Sequence, residues 1–571
     1  MAALLAAFLA TQYGYAWRMP FFNDDYVFLD LTRGVPFRAV WEPHFLWLGR
    51  YYRPWSRELH YWTLQHLFGA REVPLHLASF ALWLGTMVLY FLLARRLAGG
   101  RAAGVATAGA AAAGAWALPI VWAAGAQDLW MIGFALSSLL LLAHGRTMLA
   151  TLAYGFALLS KETAALLPAV ALAGVVLLEG LSLRAALRRV APLLAVGAVW
   201  AASHPQFGGR LWLAASAAPL ERLGTDPVRA VLRTLLAVVN LDGVPRPEFG
   251  WLGPLLLGAA GALCLAGLAA WTLFRGVTPG LEPATPVRRL VAFAAVWALA
   301  GWLPLLMPSV GWHAFYGLFG LLGAWLLLGV LLARRPAVAL TVVVALALLR
   351  PLHAATVSRD WGEEWYQRRA AGFLDFMRRD LLAKIPAVAP HSRLFFVDVP
   401  TDVGFMQGDG PALRIWYGEP TLTGALFSKY RTRPAGAPAG PDRFFRYDST
   451  AGWIEVHRGP EDVAAARAAD PLWREDHERL AVALSRGDDW PGAAAEYAKL
   501  AGAFRDSADY GYYAGLAALV IGDTASARTW LSRAAAQPTA DEEIRAAARG
   551  LGPGAAPRAG PGRGARGTVR R

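Results

Sequence analysis

The sequence predicts a polytopic α-helical membrane protein with a smaller soluble portion, part mixed α/β and part helical, at its C-terminal end. Three observations carry this. Of 571 residues, 56% are hydrophobic and only 17% charged, the balance of a chain that partitions into lipid. The apolar residues gather in runs near bilayer length through residues 1–350 and then give way to ordinary mixed sequence. Arginines collect in the short connectors between those runs, where they orient membrane helices.

Taken in order, residues 1–17 read as a first membrane helix, since no small-residue cleavage pattern of a secretion signal follows them. A long polar and aromatic loop spans 18–73. Apolar runs follow at 74–94, 102–123, 128–143 and 147–179, then at 190–204, 251–273, 290–306, 315–333 and 336–350. The run 147–179 is too long for one helix and is interrupted by Ser160-Lys161-Glu162. Read as a single span, it places Arg184, Arg188, Arg189, Arg288, Arg289, Arg334 and Arg335 opposite Arg95, Arg96, Arg101 and Arg146. Read as two short helices meeting at Lys161-Glu162, it puts every one of these on the cytoplasmic side. The second reading gives about eleven helices with the N-terminus inside. It also sends Asp24 and Asp25, Gln127-Asp128, Lys161-Glu162, residues 204–249 and residues 309–313 to the non-cytoplasmic face.

The net charge of +14 does not call for nucleic acid. Its arginines lie in membrane connectors and in residues 549–571, a stretch with six Arg, no acid and abundant Gly and Pro that reads as a disordered tail. The single Cys264 excludes an intrachain disulfide framework and a thiolate metal cluster.

Candidate chemistry begins at Asn23-Asp24-Asp25. Alone, an acidic pair after an apolar helix is a solvated loop. The same loop holds His44, Arg50, Tyr51, Tyr52, Arg53, Trp55 and Arg57, either an aromatic belt with snorkelling arginines or a grip for an anionic headgroup. Lys161-Glu162 is either a tolerated helix-end ion pair or part of a site, because ionisable groups near hydrocarbon persist by pairing or by facing a cavity. Asp128 suits a helix N-terminus on dipole grounds. His313 and Tyr316 form an aromatic group beside Trp312.

The order of these motifs resembles the GT-C superfamily of membrane glycosyltransferases, in particular bacterial relatives of the transmembrane and TPR-containing O-mannosyltransferases. The resemblance rests on Asn23-Asp24-Asp25, Tyr52-Arg53-Pro54-Trp55 with Phe68-Gly69 and Pro74-Leu75-His76, Gly125-Ala126-Gln127-Asp128-Leu129, Leu159-Ser160-Lys161-Glu162-Thr163 with Pro168, and Met307-Pro308-Ser309-Val310-Gly311. It departs from the family where Leu305-Leu306-Met307 replaces a basic and aromatic run, and where Gln127 replaces an arginine. The resemblance implies inverting transfer of a sugar, mannose or another hexose, from a polyprenyl-phosphate donor to an acceptor hydroxyl of a protein or envelope glycan outside the cytoplasm of a bacterial cell. It implies Asp24, Asp25 and Asp128 as catalytic carboxylates, with Asp24 the base and Asp25 orienting the acceptor or pairing with an arginine. Arg53, Lys161, Arg50 and His313 are then on the donor phosphate, and Tyr52, Glu162, Gln127 and Tyr316 on substrate. No divalent metal or other cofactor is expected.

Residues 351–458 read as an extracytoplasmic mixed α/β domain, with a buried strand at 394–399 and a hairpin pairing 444–447 with 453–456. Residues 459–548 read as TPR-like helices with a period of 34, which pairs Asp489 with Asp523, Ala493 with Ala527 and Tyr497 with Leu531. They either bind a protein partner or cap the preceding domain. The rival to an enzyme is a non-catalytic transporter or a TPR scaffold of an envelope glycan pathway. The gathering of polar residues at one face, without paired internal repeats, favours the enzyme.

Overall fold

The computed structural model describes residues 1–42, 51–204, 227–243, 250–274, 286–306, 312–355, 361–397, 399, 410–426, 430, 433, 436–448, 450–455, 471–486 and 489–550. The chain divides into two compact units, Met1–Phe376 and Met377–Arg571.

The first unit is helical. Its helices are α1 (Ala2–Tyr13), α2 (Asp24–Thr32), α3 (His60–Phe68), α4 (Glu72–Ala111), α5 (Ala117–Val121), α6 (Ala126–Ala143), α7 (Thr147–Leu158), α8 (Leu167–Leu177), α9 (Leu183–Ser203), α10 (Pro227–Ala237), α11 (Leu252–Phe274), α12 (Val287–Trp302), α13 (Leu318–Leu332) and α14 (Pro336–Ala354). Among the described residues, seven helical segments are long and apolar enough to cross a bilayer, and three shorter apolar ones begin at Ala2, Thr147 and Glu162. The protein is an integral membrane protein. Leucines that water would reject, such as Leu255, Leu256 and Leu263 on α11, face outward, as lipid-contacting side chains do.

Local sequence explains the breaks. The 40 residues of α4 are divided at Gly99, whose φ of 81° and ψ of 167° leave the helical region; glycine takes this conformation without steric penalty. The apolar run after Arg146 breaks between α7 and a 3-10 turn at Glu162–Leu166, so two short helices meet at Lys161. α10 is amphipathic, with Val231, Leu232 and Leu235 exposed, as an interfacial helix requires. α12 and α13 approach through glycine: a Cβ on Gly301 would lie 2.3 Å from the Gly320 nitrogen, and one on Gly323 would lie 2.5 Å from the Ala298 nitrogen.

The second unit contains a four-stranded sheet, β1 (Arg393–Val397), β2 (Thr423–Leu426), β3 (Asp442–Asp448) and β4 (Gly452–Glu455), in the order β2-β1-β3-β4. β1 is parallel to β2 and β3, with Phe395 opposite Phe444 and Phe396 opposite Phe445; β3 and β4 form an antiparallel hairpin with Tyr447 opposite Trp453. Asp398 lies outside the described residues. Helices follow at Pro471–Arg486, Trp490–Ala503, Ala508–Val520, Thr524–Ala535 and Glu542–Gly550. Residues 34 apart occupy equivalent places there. Asp489 caps one helix by accepting from Gly492 N–H and Asp523 caps another by accepting from Ser526 N–H, while Ala493 and Ala527 are both fully buried.

Candidate functional site

The acidic motif forms a clasp. Asp25 N–H donates to Phe22 O at 3.2 Å, and Asp25 Oδ2 accepts from Phe22 N–H at 3.2 Å, which closes the turn that starts α2. Between them Asn23 adopts φ 49° and ψ −125°, a left-handed φ that costs a non-glycine residue on the order of 1–3 kcal/mol. Its Oδ1 is buried and has no hydrogen-bond partner among the described residues. Strain at this point sets where the next two carboxylates go.

Those two have different surroundings. Asp25 is fully buried, and its Oδ1 accepts from Tyr61 Oη–H at 2.8 Å and from Ala124 N–H at 2.8 Å. Burial pushes the Asp25 carboxyl up to about 7, against the pull of these three donors. It therefore ties α2 to α3 and to the turn preceding α6, and its partners are a tyrosine and backbone amides. Asp24 is only partly buried. Burial raises its pKa too, opposed by the nearby charges of Arg57 and Arg53.

The next motif docks on the break between α7 and α8. Trp55 N–H donates to Leu159 O at 3.2 Å, and Ser56 Oγ–H donates to Ser160 O at 2.7 Å. This seats Arg53 against Glu162: Nε–H reaches Oε1 and Oε2 at 3.0 and 2.9 Å, while Nη1–H donates to Gln127 Oε1 at 2.7 Å. The Arg53 guanidinium also covers the Tyr51 ring at 4.4 Å. His204, its ring tilted against Trp200 with centres 4.7 Å apart, places Nε2 3.5 Å from Glu162 Oε1.

Lys161 forms the second pair. Its Nζ donates to Asp128 Oδ1 and Oδ2 at 2.6 and 2.7 Å, in the first turn of α6. The ammonium also lies over Phe315 and Tyr316, at 5.1 and 4.9 Å from the ring centres. Arg57 Nε–H donates to Glu58 Oε1 at 2.6 Å, its Nη2–H to Tyr51 O at 3.1 Å, and its guanidinium faces Phe28 at 5.3 Å.

Among the sequence-derived candidates, Arg53, Gln127 and Glu162 form one bonded group, Asp128, Lys161 and Tyr316 another, and Asp24 faces the cations Arg53 and Arg57. Tyr52 is turned elsewhere, its hydroxyl donating to Trp41 O at 2.9 Å. His313 is buried against Trp361 and Phe315, with ring centres 4.2 and 5.8 Å away. Arg50, His44 and Met307–Gly311 lie outside the described residues. Sequence reasoning did not single out Tyr61 or His204, which sit far along the chain from Asp25 and Glu162. It grouped Tyr51 with its neighbours without giving it a role.

Chemically, three cations (Arg53, Arg57 and Lys161) face four carboxylates (Asp24, Glu58, Asp128 and Glu162), with Asp25 held beside them by neutral donors, the arrangement of a preorganised polar site at the edge of hydrocarbon. Among the described residues, no three His, Cys, Asp or Glu side chains gather as metal ligands do.

Fold and site thus define an integral membrane protein with an ion-paired polar site at one end of its helices. No protein-family model matches the chain, and no curated protein sequence does. Among solved structures, it is similar to ArnT from Cupriavidus metallidurans bound to undecaprenyl phosphate, with 16% identity and a TM-score of 0.40 over 78% of this chain and 93% of that one. The same protein in the apo state gives 17% identity and 0.37, over 74% and 84%. The oligosaccharyltransferase of Archaeoglobus fulgidus, tethered with an acceptor peptide containing the NVT sequon, gives 14% and 0.39, over 74% and 63%. TM-scores below one half establish neither a shared fold nor an activity, so function has to be argued from the site.

Proposed function

We propose that the protein is an inverting membrane glycosyltransferase that moves a sugar from a polyprenyl-phosphate donor to an acceptor hydroxyl. The observation that supports this best is the placement of Asp24, partly buried and not consumed by the clasp that holds Asp25, beside Arg53 and Arg57. In the proposed reaction Asp24 takes the proton of the acceptor hydroxyl as its oxygen attacks the anomeric carbon. The bond from that carbon to the phosphate oxygen breaks, and the polyprenyl phosphate leaves with the electron pair. Arg53 and Lys161 stand on the leaving-phosphate side, already oriented by Glu162, Gln127 and Asp128, so little reorganisation accompanies the developing charge. Asp25 positions the backbone that carries Asp24.

The finer reading follows from the family resemblance. The sugar is mannose or another hexose, and the acceptor is a protein Ser or Thr or an envelope glycan. The site faces out of the cytoplasm of a bacterial inner membrane, the reaction uses no divalent cation, and the repeated C-terminal helices are TPR-like and engage a protein partner. The test is direct. Purified protein is incubated with a panel of polyprenyl-phosphate sugars, and loss of sugar from the lipid is measured for the wild type and for Asp24→Asn. Turnover that vanishes in the variant, with an unchanged thermal midpoint, supports the enzyme. Full activity in Asp24→Asn removes the assigned base, and no turnover of any donor favours a transporter or scaffold.

A further inference from the structure

At the other end of α6, about 17–22 Å along the helix axis from Asp128, the first unit holds a separate cavity. It encloses about 220 Å³ between α4, α6, α8 and α12, and its walls include Leu93, Leu97, Leu139, Val175 and Phe293. Arg96 lines it, as does Glu179 just beyond α8. Arg189 donates to Glu179 and, at 3.0 Å, to Leu142 O, which ties the start of α9 to the rim. Arg289 lies one helical turn from Phe293 and sits over Gly180, where a Cβ would come within 3.1 Å of its Nη1.

One guanidinium, Arg96, therefore lines the apolar slot and two more stand beside its rim, Arg189 on Glu179 and Leu142 and Arg289 over Gly180; the one carboxylate of the lining, Glu179, is engaged by Arg189. Among the described residues Arg96 and Arg289 have no carboxylate partner, and both are exposed. Connector arginines that only orient helices need no cavity beside them. A slot with hydrocarbon walls at the end of membrane-spanning helices, with surplus positive charge at its rim, suits a molecule with an apolar chain and an anionic head. The apolar walls give a free inorganic anion nothing. A zwitterionic head brings a cation that the arginines repel.

We propose that this slot binds an anionic glycerophospholipid of the surrounding bilayer, with an acyl chain between α4, α6, α8 and α12 and its phosphate on Arg96 and Arg289. The site stands apart from the proposed transfer chemistry and does not depend on it.

The test uses the full chain in neutral detergent, titrated with phosphatidylglycerol or phosphatidylcholine, with bound lipid read by native mass spectrometry and the thermal midpoint followed in parallel. The wild type is expected to retain phosphatidylglycerol selectively. R96Q and R289Q should each weaken it about five-fold and leave phosphatidylcholine unaffected. R96K and R289K should keep most of the preference, and R334Q, which changes an arginine of the connector after α13, should keep all of it. Equal retention of the two lipids by the wild type, or an undiminished preference in the R96Q/R289Q double variant, would overturn the proposal. So would displacement of the lipid by inorganic phosphate alone, which would assign the arginines to a free anion.

Discussion

Asp24 and Asp25 are adjacent, yet their surroundings give them different work. Asp25 is a structural acceptor whose proton is linked to folding. With its pKa raised from 3.8 to about 7, the native state holds a proton that the unfolded chain releases earlier. The stability this contributes is fully present below about pH 4 and is lost as pH rises through about 7. The thermal midpoint is therefore expected to fall between about pH 5 and about pH 8, and Asp25→Asn should flatten that slope. The same substitution sets an amide N–H against one of three donors and should cost about 1–3 kcal/mol in a denaturation measurement. The Arg53–Glu162 pair makes a second prediction. Arg53→Met leaves a carboxylate with little solvent contact without its arginine, only His204 remaining nearby, and should destabilise by up to about 3–5 kcal/mol, whereas adding Glu162→Gln should restore much of the loss. Additive losses in that cycle would show the pair to be uncoupled.

For the elements, run length and composition were informative and short helices were not. The length of the apolar run from 147 to 179 revealed a break at Lys161, because 33 residues exceed what one bilayer crossing uses. The Gly99-Gly100 pair separates the runs on either side of it for a similarly local reason. By contrast, the nine residues of α2 carry two acids in their first turn and read as loop, since only packing against α3 and the turn before α6 makes them a helix. The close seam between α12 and α13 was equally hidden, because a glycine in an apolar run does not say which neighbour approaches it. Gly301→Ala should strain that seam by about 1–3 kcal/mol and lower the thermal midpoint, while the same change at Gly155, which meets nothing within 4 Å, should be neutral or stabilising. In the second unit, Asp523→Ala removes a helix cap and should lower the thermal midpoint slightly without touching the sheet.

For the molecule as a whole, the sequence presented the order of its polar motifs but not their pairing. That Arg53 would choose Glu162 and Gln127 rather than Asp24 follows from how Trp55 and Ser56 dock on residues 159 and 160, where the acceptors are backbone carbonyls that carry no residue signature. Tyr61 likewise meets Asp25 across 36 positions with no local pattern to mark it. The proposed chemistry needs only side chains, so transfer should survive a chelator such as EDTA and recover nothing from added Mg²⁺ or Mn²⁺. Abolition by the chelator with rescue by one of those ions would require a metal in the mechanism.

The ion pairs also bear on how the chain is made. Asp128 emerges from the ribosome 33 residues ahead of Lys161, and Arg53 well ahead of Glu162. Lys161 and Glu162, in the break between α7 and α8, therefore both follow their partners in the order of synthesis. Each later charge of the site thus has an earlier-made partner of opposite sign, and pairing with it lowers the cost of holding that charge near hydrocarbon.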